Sequence, residues 1–192
     1  MAMLILGLVL FLGVHSVRVF ADGWRTRQIA RLGEKGWKGL YSILSIAGFA
    51  LLVWGFGLAR QHPVLVWVPP MALRHLNALF TLVAFVLLAA AYVPGNAIKA
   101  RLGHPMLTAV KLWAFGHLLA AGMLHDIVLF GAFLAWAVVD FMVSRRRDRA
   151  AGVRYPKGPA SRTVLTVVVG VAAWAAFAFW LHRLIVGVSP FG

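Results

Sequence analysis

The chain has 192 residues, 62% of them hydrophobic and only 12% charged, with a mean hydropathy of +0.87. Soluble domains carry about a quarter charged residues, so this composition excludes one and points to a polytopic membrane protein folded as a single bundle. Nineteen Lys and Arg against five Asp and Glu give a net charge of +14, and the absence of cysteine excludes disulfides, thiolate metal sites and cysteine nucleophiles.

Six apolar spans follow in chain order, at residues 2–20, 39–59, 71–93, 106–124, 127–144 and 163–187. All lie within the about 17–25 residues that a bilayer-crossing helix needs. None alternates apolar and polar residues as a barrel strand does. The fold class is therefore all-α, a polytopic membrane bundle of six transmembrane helices in one domain over 1–192. The first span has no basic leader and no small-residue cleavage site, so it reads as a transmembrane helix and not a signal peptide. Only His125 and Asp126 separate the fourth and fifth spans, which predicts a tight hairpin there. Trp67 and Tyr92 fall near span ends, as an interfacial aromatic belt requires.

The basic residues set the orientation. Six lie between Arg18 and Lys38, three are Lys99, Arg101 and Lys111, and seven lie in the 145–162 loop. Arg60, Arg74 and Arg183 are left for the other side. The positive-inside rule then puts both termini outside the cytoplasm. The same clustering assigns the net charge to topology and lipid headgroups and excludes nucleic acid as a partner. The 145–162 loop, RRRDRAAGVRYPKGPASR, reads as a mobile, solvated connection.

Polar groups inside the spans carry the functional signal, because an ionisable side chain at membrane depth is costly. His15 lies in LVLFLGVHSVRVF and His117 in KLWAFGHLLAAG. Neutral imidazole is a common ligand for a metal or haem iron, and two on different helices allow one on each face of a haem. His15, Arg18 and Asp22 are spaced i, i+3, i+7 on one helical face, with Arg18 expected to snorkel outward and pair with Asp22. Lys111 and Asp140 fall at matching depth on adjacent antiparallel spans, which predicts an ion pair. Lys111 or Arg18 is alternatively placed to hold a haem propionate. At the opposite end Arg74, His75, Asn77, His125, Asp126 and His182 form a second polar group, a possible metal site by ligand type. His62 and His104 each precede a proline at a helix edge, where turn or capping roles suffice.

The segments LGLVLFLGVHSVRVFADGWR, WKGLYSILSIAGF and GHPMLTAVKLWAFGHLLAAG together resemble the NnrU family of bacterial inner-membrane proteins. The resemblance runs over nearly the whole chain. It implies a multi-pass protein of the bacterial inner membrane, in which the charge-derived orientation makes both termini periplasmic, and an association with denitrification and nitric oxide metabolism. The family is related to plastid zeta-carotene isomerase, a haem-b membrane enzyme. By that relation His15, in an HSxR segment, and His117, in a W-x-x-x-H segment, match the proposed haem-ligand positions. Isomerase relatives can carry a cysteine three residues before the second histidine; here the position is Ala114. The resemblance thus implies a haem-b-binding protein acting as an isomerase- or redox-type enzyme on a lipophilic small molecule. The alternative is a non-enzymatic assembly or regulatory factor for denitrification reductases, with the histidines serving helix packing. The GHP at 103–105 also resembles a signature of membrane methyltransferases that use S-adenosylmethionine.

Overall fold

The structure, a computed structural model, describes residues 1–191. Helix α1 (Ala2–Phe20) ends where Ala21 leaves helical geometry (φ −138°, ψ 39°), and α2 (Asp22–Gln61) returns antiparallel to it. Gly33 bends α2, with φ 71° and ψ 165°, a conformation that is essentially restricted to glycine. The bend separates a short polar length, 22–32, from the apolar length, 34–61.

The α1–α2 hairpin is built on missing side chains. Gly7 lies against the Leu52 backbone, Gly55 against Leu4 and Gly48 against Phe11, where an added Cβ would sit 2.8 Å from the Phe11 nitrogen. Lipid tails are as apolar as leucine, so membrane helices gain little by hiding apolar surface from one another. Close backbone packing over small residues supplies the attraction instead.

The remaining elements are α3 (Met71–Tyr92), α4 (Ala97–Leu102), α5 (Pro105–Ala120), α6 (Leu124–Ala150), α7 (Ala160–Ala176) and, after a π turn at Phe177–Leu181, α8 (His182–Val186). Helix α1 packs on α2 and α6, α6 on α5, α5 on α3, and α3 on α7, so neighbours run α2–α1–α6–α5–α3–α7. One core joins Leu4, Leu8, Leu52, Ala114, Leu129 and Phe130; a second joins Ala84, Leu87 and Ala109. Large apolar side chains such as Ile43, Ile46, Phe49 and Val53 on α2, and Val164 and Val168 on α7, point outward. That surface suits a lipid environment.

Among the described residues five helices are long and apolar enough to cross a membrane: α1, α2, α3, α6 and the α7–α8 length, Ala160–Val186. The span expected at 106–124 departs from this, because α5 has only 16 residues. At about 1.5 Å per residue it rises about 24 Å, short of the about 30 Å hydrocarbon core. Its last residues are used differently. Ala121 and Met123 are extended, and Gly122 accepts from Val66 N (2.8 Å) while Leu124 N donates to the Val64 carbonyl (2.8 Å). The tight turn is therefore at 121–123, and His125 and Asp126 lie in the first turn of α6. A count of apolar residues does not register a backbone bridge to a distant loop.

The 145–162 segment is not a free loop either. Helix α6 runs on to Ala150, Gly158 N donates to the Gly95 carbonyl (2.8 Å), and Thr163 accepts from Ala97 N (2.9 Å). Its partner turn is fixed by Asn96, fully buried, whose Oδ1 caps α4 at Lys99 N (2.7 Å) and whose Nδ2 donates to the Ala90 carbonyl (2.9 Å).

Candidate functional site

The fold gathers the basic segments at one end. There a cavity of about 680 Å³ is walled by α1 (Val14, His15, Arg18), α2 (Arg25, Lys38, Tyr41), the α3–α5 connection (Lys99, His104), α6 (Trp136, Asp140, Arg147) and Tyr155. Ligand sites are commonly about 300–1,000 Å³, so this one has room for a sizeable guest. Five of these wall residues are cations and one is a carboxyl group, an arrangement that favours an anionic ligand.

His15 is oriented by its own helix. Its Nδ1 lies 2.7 Å from the Phe11 carbonyl; a carbonyl only accepts, so Nδ1 carries a proton, which in the neutral ring leaves the lone pair on Nε2. Phe11 (4.3 Å between centroids), Tyr41 (5.4 Å) and Trp136 (6.1 Å) surround the ring. His117 repeats the device, with Nδ1 2.7 Å from the Trp113 carbonyl. A backbone carbonyl on the second ring nitrogen is how metal-binding histidines are usually held.

The two histidines do not line a common cavity. His117 stacks on Phe130 at 4.5 Å. Between it and His15 runs an aromatic path through Trp113 (5.4 Å from His117), Phe133 (5.5 Å from Trp113) and Phe11 (5.9 Å from Phe133). Arg18 joins His15 on the cavity, whereas Lys111 and His117 are absent from its walls.

Two expected pairings are corrected. Among the described residues Lys111 has no ion pair with Asp140; its ammonium lies 3.5 Å over the Phe141 ring, and Asp140 Oδ1 accepts from Ser144 Oγ (3.0 Å). Residues 140 and 141 are successive on α6 and point about 100° apart, so a lysine facing Phe141 misses Asp140. Likewise Asp22 pairs with Arg25 (3.3 Å) and not with Arg18. The helix break at Ala21 puts Asp22 in a different helix, and the i, i+7 face does not continue through it.

Sequence spacing missed a polar cluster on the cavity rim. His104 Nε2 and Tyr155 OH both donate to Asp148 Oδ2, each at 2.7 Å. Burial, then the bond to Asp148, pushes the Tyr155 phenol up to about 12. Arg145 donates to the Leu102 carbonyl beside it (3.2 Å). His104 is thus more than a helix-edge residue. The available signal was Asp148 itself, a single acid among the arginines of RRRDR, which calls for a partner outside that run.

At the opposite end His125 lies 3.6 Å from Asp126 and 5.1 Å from the Phe56 ring, His75 is exposed, and His182 Nδ1 donates to the Val188 carbonyl (2.7 Å). No group of three metal-ligating side chains converges among the described residues.

A family profile described as NnrU protein matches residues 3–190. The chain belongs to the NnrU family. No curated protein and no solved structure matched it. The family match covers the cavity walls, the aromatic path and the His104–Asp148–Tyr155 cluster alike.

The chemistry of the cavity's donor set fits a haem on the His15 side. It offers one imidazole with a fixed tautomer and a free Nε2, apolar and aromatic walls, and arginine and lysine side chains for two propionates. His117 offers the same donor but not from the cavity wall.

Proposed function

We propose that this NnrU family protein is an integral membrane haem-b-binding protein that works on a lipophilic molecule, as an isomerase- or redox-type enzyme. The observation that carries the reading is His15: an imidazole preset by Phe11 for ligation, on the wall of a cavity rich in cations. In this reading His15 holds the iron, and Arg18, with Lys99 and Arg147, neutralises the propionates. Bound haem supplies redox or Lewis-acid chemistry. The chain supplies the ligand, the charge balance and the aromatic walls that keep water out. His117 is the second ligand in the bis-histidine form of the proposal, and Lys111 an alternative cation for a propionate. Reaching a shared iron requires the Phe11, Phe133 and Trp113 rings to give way. A place in denitrification or nitric oxide metabolism comes from the family resemblance alone.

The proposed setting is the bacterial inner membrane, with α5 and the extended residues 121–123 completing a sixth crossing. Both termini then lie in the periplasm and the cavity at the cytoplasmic end.

The test is the absorption spectrum of detergent-purified protein from haem-replete cells. Wild type is expected to show a Soret band, His15→Ala to lose it, and His62→Ala to keep it. A changed spectrum in His117→Ala marks a bis-histidine iron; an unchanged one marks a single ligand and an open face. Absence of haem in wild type, or full occupancy with an unaltered spectrum in both His15→Ala and His117→Ala, would refute the proposal. The first result would leave the assembly or regulatory role.

A further inference from the structure

Asp140 is a group whose position the haem reading does not explain. It lies well within α6, where a carboxyl group is costly, and the lysine expected to neutralise it turns elsewhere. Its only hydrogen bond among the described residues is from Ser144 Oγ to Oδ1, so Oδ2 is without a protein donor.

Asp140 also stands at a junction. A second hollow, about 250 Å³, runs between α1 and α6 and is lined by Leu12, Gly13, Val19, Phe20, Ala135 and Val139, with Ser16, Trp136 and Asp140. Trp136 and Asp140 are walls of both this hollow and the large cavity. Gly13, Phe20 and Ala135 are exposed at its edge, on the surface that faces lipid. The hollow is smaller than the about 300 Å³ at the low end of ligand sites. It therefore accommodates one end of a molecule whose remainder lies among lipid tails.

We propose that the α1–α6 groove binds the head of a membrane-dissolved lipophile carrying a hydroxyl, of the phenol or alcohol class, whose O–H donates to Asp140 Oδ2. Apart from Ser16, Trp136 and Asp140 the groove walls are hydrocarbon, which selects an apolar body, and the Asp140 carboxyl oxygen without a protein donor selects a hydrogen-bond donor such as an O–H. The site brings such a molecule to the wall of the cavity that holds His15. The binding itself does not depend on haem.

The experiment uses the full chain in detergent, with radiolabelled 4-nonylphenol as probe and its methyl ether, 4-nonylanisole, as the analogue lacking the O–H. Wild type is expected to bind the phenol about tenfold more tightly than the ether, and Asp140→Leu to abolish that preference. Gly13→Leu is expected to weaken both probes, because Gly13 lines the groove and a Cβ there meets nothing within 4 Å, so the added side chain takes up groove space. His15→Ala, which leaves the groove intact, is expected to keep the preference, so loss of haem and loss of this site are separable. If Asp140→Leu does not fold, the phenol–ether comparison in wild type and Gly13→Leu decides. Equal affinity for the two probes in wild type, a preference that survives in Asp140→Leu, or unchanged binding in Gly13→Leu would overturn the proposal.

Discussion

Replacing Gly48 by alanine tests whether α1 and α2 are held in backbone contact and whether that contact sets the His15 site. A Cβ at position 48 would lie 2.8 Å from the Phe11 nitrogen and 2.9 Å from its Cα. Comfortable contact is about 3.5–4.0 Å, so the helices must part by about 0.6–1.2 Å along that line. Overpacking of this kind costs about 1–3 kcal/mol, against which the better helix propensity of alanine returns about 1 kcal/mol. A net loss of up to about 2 kcal/mol follows. Gly57 is the internal control, on the same helix with nothing within 4 Å of its Cβ; Gly57→Ala is expected to stabilise by about 0.5–1 kcal/mol through propensity alone. The two substitutions are chemically the same, so opposite signs isolate packing. Reversible unfolding of the purified protein in mixed micelles gives both values. Because Phe11 supplies the carbonyl that orients His15, Gly48→Ala is also expected to shift any haem spectrum, and Gly57→Ala to leave it alone. Equal effects of the two variants on stability would refute the close-packed hairpin.

Alkaline pH is expected to release the cavity rim. Burial and the bond to Asp148 push the Tyr155 phenol up to about 12, so the folded state holds its proton where the unfolded chain has lost it. That contribution is complete below pH about 10 and is lost as pH rises toward 12. Tyr155→Phe is expected to flatten the stability profile in that window, and an unchanged alkaline profile would separate Tyr155 from Asp148. For topology, a reporter fused after Gly192 is expected to read periplasmic and one inserted near Gly158 cytoplasmic; the reverse at both positions would overturn the orientation.

The sequence by itself determined the class of protein, five of the long apolar helices and the clustering of charge. Those are properties of runs of residues: about 20 apolar side chains in a row have few other fates, and arginines between them gather at one membrane face. It also singled out His15 and His117, because a histidine inside such a run is anomalous wherever the helix packs. The tertiary structure decided what each polar side chain meets. The break at Ala21 ends α1 and so cancels the Arg18–Asp22 face. The facing of α5 on α6 sends Lys111 to Phe141 and leaves Asp140 on two hollows. Pairing of 64–67 with 122–124 shortens α5 to 16 residues. The fold-back of 151–159 brings Tyr155 and Asp148 to His104. Spacing along one helix fixes which residues share a face, but helix rotation, bends and backbone bridges fix what that face touches, and these depend on close packing between segments distant in the chain.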